Sequence, residues 1–235
     1  MEAALYLLPV TLGDTAISAV LPAYNKEIIL GLKHFIVEDV RSARRFLKKV
    51  ESSIVIDELT FYPMGKHASH DVFASYLKPL EQGIPMGMLS EAGCPAVADP
   101  GSDVVAIAQR KGLRVIPLVG PSSMILAVMA SGFNGQSFAF NGYLPINPGE
   151  RIQKIKSLEQ KVYQEHQTQL FIETPYRNAK MIEELLRTCK PSTRLCIAAG
   201  ITCAEEYIHT KTIKEWKATT LPDLSKIPAI FLIYK

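Results

Sequence analysis

Met86-Gly87-Met88-Leu89-Ser90-Glu91-Ala92-Gly93-Cys94-Pro95-Ala96-Val97-Ala98-Asp99-Pro100-Gly101 is the stretch that decides the fold class. It opens on an apolar run of strand length and leads into helical periodicity over 102–111. The connection 90–101 is long for a purely structural strand-to-helix turn, and open α/β sheets bind ligands at this end of a strand. Its glycines allow close backbone approach and its prolines stiffen the path. A rigid connector with a helix start near Ser102 is the other reading of the same residues.

The alternation seen there continues in both directions. Strand-like runs fall at 5–9, 34–38, 86–90, 114–118, 137–140, 169–173, 194–198 and 229–234. Helical periodicity falls at 15–30, 40–50, 70–82, 102–111, 123–131, 150–166 and 176–188. Strands separated by helices need crossover connections, so the class is α/β with largely parallel sheets. The chain breaks best at Pro117-Leu118-Val119-Gly120-Pro121, which divides it into domains 1–118 and 119–235 with a cleft between them.

Composition excludes several classes. A chain of 235 residues, 48% hydrophobic and 21% charged, is neither disordered nor dependent on a disulfide or metal staple. The net charge of +3 permits an anionic partner but is far below that of a nucleic-acid coat. Pro9 interrupts the first apolar run too early for a signal peptide, and Met124–Ala130 is too short for a membrane span. A cytoplasmic protein is expected, with no membrane partner. Cys94, Cys189, Cys196 and Cys203 form no C-x-x-C pair and read as reduced thiols. No metal site is expected, although His67 and His70 can share a helical face. Neither a G-x-G-x-x-G turn nor a P-loop is present, which disfavours dinucleotide dehydrogenases and P-loop NTPases.

Two more strand-to-helix turns carry polar chemistry. In Gly120-Pro121-Ser122-Ser123 either serine can cap the following helix or offer its free amides to a ligand. In Glu173-Thr174-Pro175-Tyr176-Arg177, Thr174 and Pro175 make a strong helix start. Glu173 and Arg177 are then either an ion pair steadying the turn or part of a site. Helix 40–50 is two-faced, with Arg41, Arg44, Arg45 and Lys48 opposite its apolar residues, as a solvated face or a phosphate-facing stripe.

Taken together, these loops resemble ribosomal RNA small subunit methyltransferase I, within the tetrapyrrole methylase superfamily. Glu91-Ala92-Gly93-Cys94-Pro95 through Ala98-Asp99-Pro100-Gly101 is similar to the family's D-A-G-T-P…S-D-P-G loop. Val37-Glu38-Asp39-Val40-Arg41 resembles A-E-D-T-R, Val119-Gly120-Pro121-Ser122-Ser123 resembles P-G-P-[CS]-[SA], and Glu173-Thr174-Pro175-Tyr176-Arg177 resembles E-[AS]-P-[HY]-R. Asn141-Gly142-Tyr143-Leu144-Pro145 is similar to G-F-L-P. The matches run in order along nearly the whole chain.

The resemblance implies a two-domain, S-adenosylmethionine-dependent methyltransferase that works as a homodimer, with the cofactor folded in the interdomain cleft. Matching positions imply cofactor contacts from Pro9, Glu91, Gly93, Cys94, Val97, Gly120, Ser122 and Ser123. Tyr176, Ala199, Gly200, Pro228 and Ala229 are implied around the adenine. The implied reaction is 2′-O-methylation of a ribose in small-subunit ribosomal RNA, with RNA as the partner. For a ribose acceptor, Glu38 and Glu173 are the candidate bases and Arg41 and Arg177 the candidate phosphate ligands. Two other functions compete: a relative that methylates a tetrapyrrole or a modified protein side chain, and a non-catalytic RNA- or ligand-binding module.

The departures lie mainly on the acceptor side. The family's P-I-G-N-L-x-D is here Pro9-Val10-Thr11-Leu12-Gly13-Asp14, its Y-H-x-H-N is Tyr62-Pro63-Met64-Gly65-Lys66-His67, and its R-E-L-T is Ala199-Gly200-Ile201-Thr202. An additional C-terminal segment of the ribosomal enzymes has no counterpart before Lys235.

Overall fold

The computed structural model describes residues 1–65 and 70–235, which form two compact units, Met1–Ser122 and Ser123–Lys235. The first unit contains, in chain order, β1 (Leu5–Leu8), α1 (Ile17–Val20), α2 (Ala23–Leu30), β2 (His34–Val37), α3 (Val40–Val50), β3 (Thr60–Pro63), α4 (His70–Tyr76), α5 (Lys78–Glu81), β4 (Met86–Leu89), α6 (Ser102–Arg110) and β5 (Val115–Pro117). Its sheet has the order β3-β2-β4-β1-β5, and every pairing is parallel. Side chains alternate across it. Tyr6 and Leu8 pack with α2 and α3 residues such as Ile28, Ala43 and Leu47, while Leu5, Met86 and Met88 pack with Leu77, Val104 and Ile107 from the opposite layer.

Strand order fixes where a ligand can enter. From β1 the chain crosses over β4 to β2, and from β4 it crosses over β1 to β5. The two connections leave neighbouring strands in opposite directions, so a crevice opens beyond their carboxyl ends.

The second unit contains α7 (Ser123–Ser131), β6 (Phe138–Tyr143), α8 (Pro148–Glu165), β7 (Thr168–Glu173), α9 (Asn178–Thr188), β8 (Arg194–Ala199), β9 (Tyr207–Thr212), α10 (Ile213–Lys217) and β10 (Ala229–Tyr234). Its sheet order is β6-β7-β10-β8-β9. Here the expectation of largely parallel sheets is corrected: only β6–β7 is parallel, while β10 runs antiparallel to both β7 and β8, as does β9 to β8. The cause is the short connection from β8 to β9, which reverses the chain without a crossover helix, so that β9 and then β10 run opposite to β7 and β8. Phe231 and Ile233 enter one core with Ile155, Leu158 and Leu185. The layer α7 packs against β8, β9 and β10.

Two helical stretches are each divided by proline. Segment 15–30 breaks at Leu21, whose φ −118° and ψ 132° are the extended values forced on a residue before proline. Segment 70–82 breaks at Leu77, because Pro79 at the start of α5 lacks an amide hydrogen for the preceding turn. Edge strands β3 and β9 lay outside the periodicity. β3 ends in Pro63, tolerable only at an edge, and β9 reads Tyr-Ile-His-Thr-Lys-Thr with no apolar run.

Candidate functional site

Three loops meet at the carboxyl ends of β1, β4 and β5. The Val10 amide donates to the Gly93 carbonyl at 2.9 Å, joining the first two as an isolated antiparallel bridge. Gly93 has φ +70°, and a Cβ there would meet Leu12 at 3.1 Å and the Pro121 carbonyl at 3.3 Å. Gly120 packs so closely on the Pro9 ring that a Cβ would lie 2.1 Å from the Pro9 Cβ. The Cys94 thiol donates to the Pro121 carbonyl at 3.4 Å, and burial pushes its pKa up, so it is a packed thiol and not an activated nucleophile. Pro9, Gly93, Cys94 and Gly120 are thus brought together by the sheet itself.

Beyond Gly93 the backbone is strained. Ala96 (φ 64°) and Ala98 (φ 61°) are both left-handed, and Gly101 lies at φ 120°. A non-glycine residue in this region costs about 1–2 kcal/mol, and such conformations concentrate at ligand clamps and active sites. Val97, between the two alanines, stands half exposed, and Ser122 is half-buried. Ser123 begins α7 in the second unit.

Next to this loop, carboxylates converge from two strand ends. Glu38 follows β2; its carboxylate accepts from the Glu91 amide, while Oε2 is buried with no partner. Burial raises the Glu38 pKa, and repulsion from Asp99 and Glu91 adds to it. Asp99 is raised for the same first reason, opposed by a hydrogen bond from Ser90. A cavity of about 480 Å³ opens here, lined by Glu38, Asp39, Met64, Gly65, Phe73, Glu91 and the start of α6.

A second cavity, of about 520 Å³, lies between the loop after β1 and α3, and Ser90 and Glu91 complete its wall. The cations lining it are Arg45 and Lys49, with Phe46 as an apolar neighbour. Lys49 pairs with Asp14 at 2.9 Å. The four-residue stripe read from the sequence therefore divides. Arg44 stacks over the Phe61 ring at 5.5 Å, Lys48 donates to the Ser52 carbonyl, and Arg41 sits exposed beside Asp39. Asp39 itself caps α3, accepting from the Ser42 amide at 2.7 Å.

In the second unit the antiparallel register sets Ala229 opposite both Glu173 and Ala199, and the Gly200 amide donates to the Pro228 carbonyl at 3.0 Å. Ala199, Gly200, Pro228 and Ala229 therefore share one sheet end, and Tyr176 stands 75% exposed a few residues beyond Glu173. Glu173 is engaged elsewhere. Its Oε1 accepts from the Thr174 amide (2.7 Å), from Arg177 Nε (3.0 Å) and, in an ion pair, from Arg177 Nη2 (2.8 Å), and its side chain is 2% exposed. Glu173 and Arg177 form an ion pair across the turn, so the Glu173 Oε1 and the Arg177 guanidinium engage each other.

Lys49 and Phe73 line the two cavities without having been singled out in the sequence, and Asp99 lies in the adjoining loop. Lys49 belongs to the same basic helix, one position past the stripe, and Asp99 lay inside the quoted loop without a role. Phe73 had no signal. The pairing of His67 with His70 lies outside the described residues. Among the described residues no group of three His, Cys, Asp or Glu side chains is placed to hold a metal ion, and no helix is long and apolar enough to cross a membrane.

No protein-family model matches the chain. Ribosomal RNA small subunit methyltransferase I of Mesorhizobium japonicum is 28% identical over 214 residues, covering 91% of this chain and 69% of that protein. The protein of the same name from Escherichia coli O157:H7 is 25% identical over 219 residues, covering 93% and 72%. The chain is similar to ribosomal RNA small subunit methyltransferase I over most of its length. The resemblance carried by its loops is confirmed along most of its length, although a Haemophilus influenzae relative is matched over only 56% of its own length. The methyltransferase CobJ superposes with a TM-score of 0.65 at 14% identity, covering 99% of this chain and 94% of its own. Uroporphyrin-III C-methyltransferase of Thermus thermophilus, complexed with S-adenosyl homocysteine, gives 0.56 at 16% identity, covering 99% and 97%. At such identities the fold is what is shared: two α/β units like those of the tetrapyrrole methyltransferases.

Proposed function

We propose that this chain is a methyltransferase that carries a methyl group from S-adenosylmethionine to a ribose 2′-hydroxyl of small-subunit ribosomal RNA, in the cytoplasm and as a homodimer. The observation that carries the reading is Glu38. One of its oxygens is fixed by the Glu91 amide, while the other is buried, unpartnered and bordered by a cavity. A base needs such an oxygen to take the proton of an incoming hydroxyl.

The first unit fits the cofactor on an observation of its own. The paired left-handed alanines turn the backbone of 93–101 into a small-residue rim beside half-exposed Val97. Gly93, Cys94, Val97 and Ser122 are assigned to the methionine and ribose, with Pro9, Glu91 and Gly120 shaping their support and Ser123 meeting the polar end. In the second unit Tyr176, Ala199, Gly200, Pro228 and Ala229 are assigned to the adenine. When bound, the cofactor supplies an electrophilic methyl on a sulfonium, so orientation of the acceptor does most of the catalytic work. Glu38 orients the hydroxyl and accepts its proton. Arg45 holds a flanking phosphate, and Lys49 joins it by exchanging its exposed partner Asp14 for the phosphate, with Arg41 nearby.

Labelled methyl transfer tests the reading. Small ribosomal subunits, naked ribosomal RNA, total protein and a small-molecule extract are each incubated with the protein and labelled cofactor. Label recovered in a 2′-O-methylated nucleoside is the expected result. Label confined to protein or to small molecules transfers the assignment to another acceptor, and no label in any fraction leaves a binding module.

The two basic faces of α3 are separated by salt. Reversing Arg45 and Lys49 to Glu should weaken RNA binding and flatten its salt dependence by roughly 0.7 log units per log unit of salt for each phosphate no longer neutralised. Reversing Arg44 and Lys48, which are occupied by Phe61 and Ser52, should leave the slope nearly unchanged. Equal effects from the two pairs would show that the cavity makes no specific phosphate contact.

A further inference from the structure

We propose that Ser42 is a specificity-determining positioning residue: its hydroxyl holds the Glu91 side chain as a wall between two cavities of unlike charge. The acceptor then places a phosphate on one side of the wall and its reacting hydroxyl on the other. The inference rests on the methyl-transfer reading above and adds a residue to which that reading gives no part.

The wall is built from two neighbouring strand ends. β2 and β4 pair in parallel, with Val37 opposite Leu89, so the chain leaves them side by side, into α3 and into the loop 90–101. Asp39 caps α3 by accepting from the Ser42 amide at 2.7 Å, which fixes the first turn of that helix. From this turn the Ser42 hydroxyl donates to Glu91 Oε1 at 3.3 Å, joining helix to loop. Glu91 lines both cavities, and Ser42 lines the one after β1.

The two sides differ in charge. Arg45 and Lys49 line the cavity after β1. Glu38, Asp39 and Asp103 line the other, where no cation stands among the described lining residues; Lys66 and His67 lie outside them. A phosphate is drawn to the first cavity and repelled from the second, whereas a hydroxyl finds acceptors in the second. A ribonucleotide carries its 2′-hydroxyl and 3′-phosphate on adjoining carbons, so one ribose can straddle a wall one side chain thick. A nucleoside without its phosphate fills only the acidic side. Without the Ser42 bond the exposed Glu91 side chain turns in solvent, and phosphate and hydroxyl lose their fixed spacing.

The test first maps the labelled nucleotide in small-subunit ribosomal RNA by nuclease digestion and mass spectrometry, with the full chain. Two synthetic oligoribonucleotides are then made that end at that nucleotide, one with a terminal 3′-phosphate and one with a 3′-hydroxyl. Their binding is measured by fluorescence anisotropy with S-adenosyl homocysteine present, so that no transfer occurs. The phosphorylated fragment should bind the unmodified protein about tenfold more tightly, the worth of one hydrogen bond to a charged group. Ser42→Ala should bring that ratio below about threefold, and in the transfer assay it should raise KM more than it lowers kcat. Ser42→Thr, which keeps the hydroxyl, should restore both. A ratio unchanged in Ser42→Ala overturns the inference and leaves methyl transfer standing. Absence of label from RNA overturns the methyl-transfer reading, and the inference falls with it.

Discussion

Glu38→Gln is expected to lower the rate of methyl transfer by about 100- to 10,000-fold, the range for loss of a positioned general base. Affinity for S-adenosylmethionine, measured by calorimetry, should be unchanged, because the cofactor assignments use other residues. The substitution keeps size and polarity, so a loss in kcat alone isolates the proton-accepting oxygen. The pH dependence has a defined sign. Burial, with Asp99 and Glu91 after it, raises the folded pKa of Glu38 above its unfolded value. Activity is therefore lost as pH falls through that raised value. Stability runs the other way: ionising Glu38 costs the folded state at any pH above the ordinary carboxylate range. Glu38→Gln should consequently melt slightly higher at neutral pH while being nearly inactive. A variant that retains activity within threefold removes Glu38 as the base, and one that melts lower at neutral pH overturns the raised pKa.

What could be read in the chain beforehand follows physical lines. Helix α3 was legible to the residue because Val40, Ala43, Leu47 and Val50 recur at helical spacing, and the structure adds Asp39 as its capping side chain. The loop 90–101 was legible as a candidate site because it is long for a purely structural turn between β4 and α6. Its strain was hidden, since alanine carries no sequence sign of a left-handed backbone. The ion pair of Glu173 with Arg177 could not be told from a free site by spacing alone, because i,i+4 serves both. Which basic residues line the cavity after β1 depended on Phe61, an edge-strand residue that captures Arg44. The mixed sheet of the second unit was concealed by the polar strand β9, whose hydrogen bonds to β8 need no apolar run.

Arg151→Ala is expected to destabilise the second unit by about 3–5 kcal/mol, the cost of leaving one member of a buried ion pair uncompensated. Arg151 and Glu184 are 5% and 6% exposed at their side chains, and the guanidinium meets the carboxylate through both Nε and Nη2, the latter at 2.7 Å. Arg151 Nη1 also donates to the Pro145 and Ile146 carbonyls, so one side chain joins α8, α9 and the end of the β6 connection. Trp216 is the single tryptophan of the chain, buried in the same core with its indole donating to the Leu195 carbonyl. Its fluorescence during urea unfolding therefore reports on the second unit alone. Replacing both partners, Arg151→Met with Glu184→Leu, should recover most of the loss, because an apolar pair leaves no orphaned charge. The hydrogen bonds from Arg151 hold the Glu184 pKa below its ordinary value. Its contribution is thus present above the ordinary carboxylate range and lost as pH falls through the lowered value. In Arg151→Ala, by contrast, Glu184 is buried alone and takes up a proton readily, so the deficit should shrink as pH falls. A deficit below about 1 kcal/mol, or one independent of pH, would mean that the carboxylate finds water or another donor once Arg151 is gone.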